Sequence, residues 1–145
     1  DCVVTLLYDL SSQSIGVCHS GWRGTAAGIL TNTVDTMARA FGARRDTMLA
    51  VIGPSIRQCC FETDADVPEA MEHSMGARVK PFIEKRGAKW FVDLQGINAS
   101  LLADAGLDSG NIIDSGMCTY CMSDEFWSHR VTKGVRGVQA GIISL

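Results

Sequence analysis

Basic residues are scattered and in the minority: thirteen Lys and Arg face sixteen Asp and Glu, a net charge of -3. No segment concentrates them, so the chain has no electrostatic footprint for nucleic acid. No apolar run approaches the roughly 20 residues that cross a bilayer, so a membrane-spanning helix is not expected. No leader with a basic start and an apolar middle is visible. The chain opens directly in an apolar strand pattern without a start Met, and we expect it to begin inside a folded unit. Repeats, linkers and low-complexity stretches are absent. Residues 1–145 are therefore expected to form a single domain that lacks its N-terminal part.

What is present is a core. Hydrophobic residues make up 46% of the 145, enough for one sizeable buried cluster. Six cysteines (Cys2, Cys18, Cys59, Cys60, Cys118 and Cys121) raise the question of disulfides. The chain is not a small loop-rich scaffold, and reduced thiols in the cytoplasm are the better expectation. Six methionines fit a soft core.

Apolar β-branched runs predict strands at Cys2–Tyr8, Ser14–His19, Met48–Ile52, Trp90–Asp93, Ile112–Ile113 and Val138–Leu145. Cys59–Glu62 reads as a short extended stretch. A helix is expected from a Thr25 cap, with Ala26, Ile29, Leu30, Val34, Met37, Ala38 and Phe41 on one stripe and Gly42 at its end. Further helices are expected over Asp66–Met75, with Pro68 in the first turn, and from Leu94 to Ala105. Residues 76–89 carry no clear pattern. Helices and strands mix without strict alternation, which predicts an α+β fold of mixed β-sheets flanked by helices.

The chemistry gathers at His19-Ser-Gly-Trp-Arg-Gly-Thr25. A four-residue loop at Asp9–Ser12 pairs Tyr8 with Gln13 and, counting outward, Cys2 with His19. Directly opposed residues lie about 5 Å apart at Cβ, so a thiol and an imidazole there could share one ion. The same pair could instead act as nucleophile and base. A lone strand His is more often structural, but the Cys2 partner changes those odds. His73 in a charged helix and His129 beside Trp127 are the only other histidines, and nothing in the sequence brings either one near. Gly21–Thr25 forms a strand-to-helix corner whose N–H groups suit an anion, with Arg23 supplying a planar fork; an ordinary turn with a solvated Arg is the plain alternative. Gly53-Pro54 reads mainly as a strand-ending turn. Cys118-Thr-Tyr-Cys121 is a single CxxC with no partner pair at zinc-ribbon spacing, so a structural or incidental role is expected. Cys59 and Cys60 would point opposite ways in a strand, so at most one of them is expected to be functional. Phe126-Trp-Ser-His-Arg130 reads equally as a lid over a ring-shaped substrate or as core packing with an exposed Arg.

At these residues the chain resembles the YfiH or laccase-domain family. Asp1-Cys2 is similar to its DC element, and His19–Thr25 to its H-A-G-W-R-G signature. Ile52–Ile56 with Cys60-Phe61-Glu62, then Val92-Asp93-Leu94, Cys118-Thr119 and Phe126–Arg130, resemble its later motifs in order. His129 replaces the usual Tyr, and Val138 stands where an Arg is common, a role that Arg136 could take over.

The resemblance implies a layered α/β/β/α arrangement and one zinc, held by a Cys and two His. Two of these map onto Cys2 and His19; the third belongs to a motif upstream of the DC element, which this chain lacks, so weakened or absent zinc is expected here. It further implies phosphorolysis of purine nucleosides (adenosine, inosine, S-methyl-5'-thioadenosine) and deamination of adenosine. On that footing Cys2, His19 and Arg23 are catalytic candidates, and Trp22, Arg23, Phe126 and Arg130 substrate-binding ones. The small-molecule partners would be purine nucleoside and phosphate. Copper is the alternative metal, but three histidines cannot build a multicopper oxidase centre. A metal-free Cys2/His19 hydrolase and a non-enzymatic binding domain are the other rivals.

Overall fold

Strict alternation shapes the first strand. In β1 (Val3–Asp9) the odd-numbered residues Val3, Thr5, Leu7 and Asp9 are buried and the even-numbered ones only partly. The structure is a computed structural model and describes residues 1–145. β2 (Ser14–Ser20) returns antiparallel to β1 with Val3 opposite Ser20, Val4 opposite His19 and Asp9 opposite Ser14. This corrects the expected register by two residues. The loop is residues 10–13, and His19 faces Val4 rather than Cys2. The cause lies at Asp9, which the turn was expected to contain. Its buried carboxylate accepts hydrogen bonds from Ser11 Oγ at 2.7 Å, Ser12 N at 2.8 Å, Ser12 Oγ at 2.7 Å and Thr47 Oγ1 at 2.5 Å. Those bonds draw it into the end of the strand.

β3 (Met48–Ile52) pairs antiparallel with the other side of β1, and β7 (Ile112–Asp114) pairs parallel with β3. The resulting four-stranded sheet has the order β2-β1-β3-β7. A smaller antiparallel sheet has the order β4-β6-β5, from β4 (Glu62–Thr63), β5 (Ile83–Arg86) and β6 (Lys89–Val92). The unpatterned stretch 76–89 thus holds a 3-10 turn (Gly76–Phe82) and most of a hairpin.

Helices cover one face of the large sheet. The helix expected from Thr25 is split into α1 (Trp22–Ala26) and α2 (Ile29–Phe41), because Gly28 takes a left-handed φ of 71° between them. Thr25 is therefore not a cap; it sits inside α1, and its Oγ1 donates to the Ser20 carbonyl at 3.2 Å. α2 buries Leu30, Val34 and Met37 and closes at Gly42, as expected. Glycine at 16 lets it approach, since a Cβ there would lie 2.7 Å from Met37 Sδ. α3 (Asp66–Met75) carries Pro68 in its first turn. α4 (Leu94–Asp104) is capped by Asp93, whose carboxylate accepts from Gly96 N at 3.0 Å. Leu7, Leu30, Met48, Ile52, Ile97 and Leu102 are fully buried between sheet and helices. Each such side chain contributes about 1.5–3 kcal/mol.

The architecture is α+β, one mixed and one antiparallel sheet flanked by helices. No helix is long and apolar enough to cross a membrane. The strand expected at Val138–Leu145 does not form. That segment runs over the other face of the large sheet, with Gly141 against Val4 and Leu6. β1 beneath it is already paired on both sides and has no ladder groups to offer.

Candidate active site

Cys2 and His19 stand at the open end of the β1–β2 hairpin, on the sheet face away from the helices. A two-residue shift of register preserves the face of every side chain, so the pair still shares one side. They meet above Gly21. A Cβ built at Gly21 would lie 3.1 Å from Cys2 Sγ and 3.8 Å from His19 Nε2. The missing side chain leaves the space into which sulfur and nitrogen both point. Both residues are exposed, so their donor atoms are open to a ligand.

Trp22 and Arg23 follow at once, in α1. The Arg23 guanidinium lies 4.1 Å from the centroid of the Trp22 ring, a stacking that restrains its fork. Arg23 forms no ion pair, which leaves its N–H groups available to an anion. α1 has only five residues, so its dipole is small, and Arg23 is the cation that this turn itself supplies. Gly53 belongs to the same end of the sheet, its N–H donating to the Val4 carbonyl at 2.9 Å.

Asp1 ties the end of the chain to this corner, a role the sequence did not reveal. Its carboxylate accepts from Thr119 Oγ1 at 2.6 Å, Ser128 Oγ at 3.1 Å and the Arg130 backbone N–H at 2.7 Å. Its carbonyl accepts from Ile56 N at 2.9 Å. The segment carrying Phe126 and Arg130 is thereby fixed next to Cys2. Arg130 turns its side chain away, with Nη1 donating to the Glu62 carbonyl at 2.7 Å and the guanidinium 5.6 Å from the Phe61 ring centroid. Phe126 is half-buried on the same segment. His129 lies against Gly134, and His73 is exposed in the last turn of α3. Arg136 is exposed and donates to the Gly137 carbonyl at 2.9 Å.

A second cluster corrects the reading of the remaining cysteines. The Sγ atoms of Cys59, Cys60, Cys118 and Cys121 all lie within 4.8 Å of one another. Cys59 and Cys60 both contribute because residues 57–60 form a turn rather than a strand, with Cys60 N and Phe61 N both donating to the Arg57 carbonyl. The partner pair for the CxxC is this vicinal one. Cys60 is pushed well above the ordinary thiol range by burial and by the neighbouring thiols Cys121 and Cys59. Burial acts against the Cys118 thiolate too, but N–H groups of Arg57, Cys121 and Tyr120 donate to it and bring its pKa down to about 7.

Residues 1–145 match the family model described as multi-copper polyphenol oxidoreductase laccase. A purine nucleoside phosphorylase of Bacteroides thetaiotaomicron is 36% identical over 131 residues, 90% of this chain and 48% of the relative. A protein named adenosine deaminase RL5, from an unknown prokaryotic organism, is 36% identical over 132 residues, 90% of this chain and 50% of its own. The crystal structure of the hypothetical protein YfiH of Bacillus licheniformis superposes with a TM-score of 0.88 at 33% identity, covering 92% of this chain and 51% of that one. The chain spans about half the length of these relatives.

Proposed function

Because the chain belongs to the multi-copper polyphenol oxidoreductase laccase family, we propose that it forms part of a zinc-dependent purine nucleoside phosphorylase that also deaminates adenosine. The observation that carries this reading is the convergence of Cys2 Sγ and His19 Nε2 over Gly21. A thiolate and an imidazole are the donors zinc prefers, and their exposure leaves room for a further ligand and a substrate. Relatives named purine nucleoside phosphorylase and adenosine deaminase support the same activities. The free thiols fit a reducing compartment, and we place the protein in the cytoplasm.

In this reading Cys2 and His19 would hold the metal, together with a further ligand. Bound zinc would lower the pKa of a water or polarise a leaving group. Arg23 binds phosphate with two parallel N–H bonds and turns one oxygen toward the ribose C1′. As the C1′–N9 bond breaks, its electron pair leaves with the purine, which takes up the proton that the attacking hydrogen phosphate gives up, and the phosphate oxygen completes the new bond to C1′. Trp22 or Phe126 stacks on the base, and Arg130 holds the neighbouring segment in place through its backbone bond to Asp1. Adenosine, inosine and S-methyl-5'-thioadenosine are the proposed substrates.

The test is release of hypoxanthine from inosine. Release that requires phosphate and disappears in Cys2→Ala and His19→Ala supports the proposal. No base released from any purine nucleoside would overturn it. Full activity after exhaustive chelation would favour a metal-free Cys2/His19 hydrolase.

A further inference from the structure

After Asp114 the chain forms no further helix or strand, and an isolated bridge at Cys118 with a few single backbone bonds is all the backbone pairing that holds residues 115–145 to the sheet. Side chains supply the rest of their attachment, and four sulfurs gather among them. Cys59 Sγ lies 3.9 Å from Cys118 Sγ and 3.8 Å from Cys121 Sγ, and Cys60 Sγ lies 3.4 Å from Cys121 Sγ. Four thiolates around a zinc at 2.3 Å stand about 3.8 Å apart, the edge of the tetrahedron. Two of these separations match that edge, one is shorter, and all four sulfurs lie within 4.8 Å of one another, a grouping tight enough to surround one ion and far wider than the ~2.0 Å of a disulfide.

The backbone holds them in that spacing. Ser55 and Cys118 form a parallel bridge, with Ser55 N donating to the Met117 carbonyl at 3.3 Å and Thr119 N to the Ser55 carbonyl at 3.2 Å. Arg57 N donates to Cys118 Sγ at 3.5 Å, and its side chain grips Asp114 at 2.9 Å. Met122 N donates to the Cys118 carbonyl at 3.0 Å, closing the turn that brings Cys121 round. An N–H aimed at a sulfur from outside the cluster is the support a thiolate ligand takes from its surroundings.

We propose that Cys59, Cys60, Cys118 and Cys121 form a metal centre separate from Cys2 and His19, a four-thiolate zinc site that clamps the final segment to the body of the fold. On binding, the four thiols lose their protons to solvent and the ion is held by sulfur alone. Thr119, next to Cys118, reaches Asp1, so the clamp also fixes the edge that carries Cys2. Such a site is structural, since no coordination position is left for a substrate.

The test reads metal and not activity, so it stands or falls apart from the nucleoside reading. Purified protein, its Cys118→Ser and Cys121→Ser variants, and the Cys2→Ala and His19→Ala variants are compared for bound zinc. A full equivalent kept in Cys2→Ala and His19→Ala but lost in Cys118→Ser and Cys121→Ser is expected. Cobalt-exchanged wild-type protein, which needs no variant to fold, should show tetrahedral d–d bands with intense thiolate-to-cobalt charge transfer. Chelation should then speed amide exchange across residues 115–131 at least about tenfold. Zinc content equal to the wild type in both serine variants would overturn the proposal, as would wild-type protein without thiolate–cobalt charge transfer. Disulfides among these four cysteines in anaerobically isolated protein would do so as well.

Discussion

His19 and Cys2 are diagonal neighbours: Val4 faces His19 across the hairpin, and Cys2 reaches the imidazole over Gly21. Diagonal side chains on one sheet face are farther apart than opposed ones, about 7–8 Å between backbones. A bulky residue in the position between them would keep the donors apart. Gly21 removes that obstacle, so the glycine belongs to the site as much as the two donors do.

Gly21→Ala tests this directly. Gly21 has φ -62° and ψ 167°, a conformation open to any residue, so the backbone tolerates the change. The new methyl would sit 3.1 Å from Cys2 Sγ and push the sulfur aside. Zinc affinity at this site, measured by competition with a chromogenic chelator, should fall roughly tenfold while Tm stays near the wild-type value. Unchanged affinity would mean that Cys2 does not bind through the space above Gly21.

Arg23 should set the KM for phosphate. Arg23→Ala removes both the charge and the stacking on Trp22. Steady-state kinetics should show phosphate KM raised by about 10- to 100-fold, a loss of roughly 1.4–2.8 kcal/mol. Arg23→Lys should recover only part of this, because a point charge cannot reproduce the fork. If phosphate KM is the same in all three proteins, the anion binds elsewhere.

Asp1→Ala should loosen the far end of the chain. It would leave the buried Thr119 and Ser128 hydroxyls without their carboxylate partner. Charged hydrogen bonds contribute about 1.5–3 kcal/mol each, and with partial rescue by water we expect a loss of about 2–4 kcal/mol. That corresponds to a fall in Tm of roughly 5–15 °C for a chain of this size. Faster amide exchange should be confined to residues 119–131; uniform destabilisation would argue against a local tether.

Asp9 makes stability depend on pH. Burial alone would raise its pKa, but hydrogen bonds from Ser12, Thr47 and Ser11 outweigh that and hold it well below the usual carboxylate range. The folded state therefore favours the ionised form. The resulting stability is fully present above the unfolded pKa, about 3.9, and is lost as pH falls through the lower folded value. Urea titrations of wild type and Asp9→Asn should show a constant gap above about pH 5 and a shrinking one below about pH 4. A gap that widens on acidification would contradict this account.

Much of this protein could be read locally. The alternation in Val3–Asp9 and the apolar run Met48–Ile52 declare strands, and Pro68 and Gly42 mark a helix start and a helix end. The hairpin register differs by two residues from the one the turn residues predict, because a turn-forming Asp gives no sign that Thr47, far along the chain, will hold it in the strand. The even size of that difference spared the site, since period-2 geometry still put Cys2 and His19 on one face. The helix break at Gly28 was hidden by an apolar stripe that runs on through it.

By itself, then, the sequence determined most of the strands and helices, though not the hairpin within 76–89 or the irregular path of Val138–Leu145, and it determined that the chain is similar to the laccase-domain family and that a thiol and an imidazole share one sheet face. Steric preference and side-chain period act over a few residues and need no distant partner. Only the tertiary structure decided that Asp1 holds Thr119, Ser128 and Arg130, and that Cys59 and Cys60 meet Cys118 and Cys121. Those meetings depend on a turn at residues 57–60 and on the Ser55–Cys118 bridge, which form only when segments some 60 residues apart pack on the same core. Local pattern carries no record of such closures, because their free energy comes from burial shared by the whole fold.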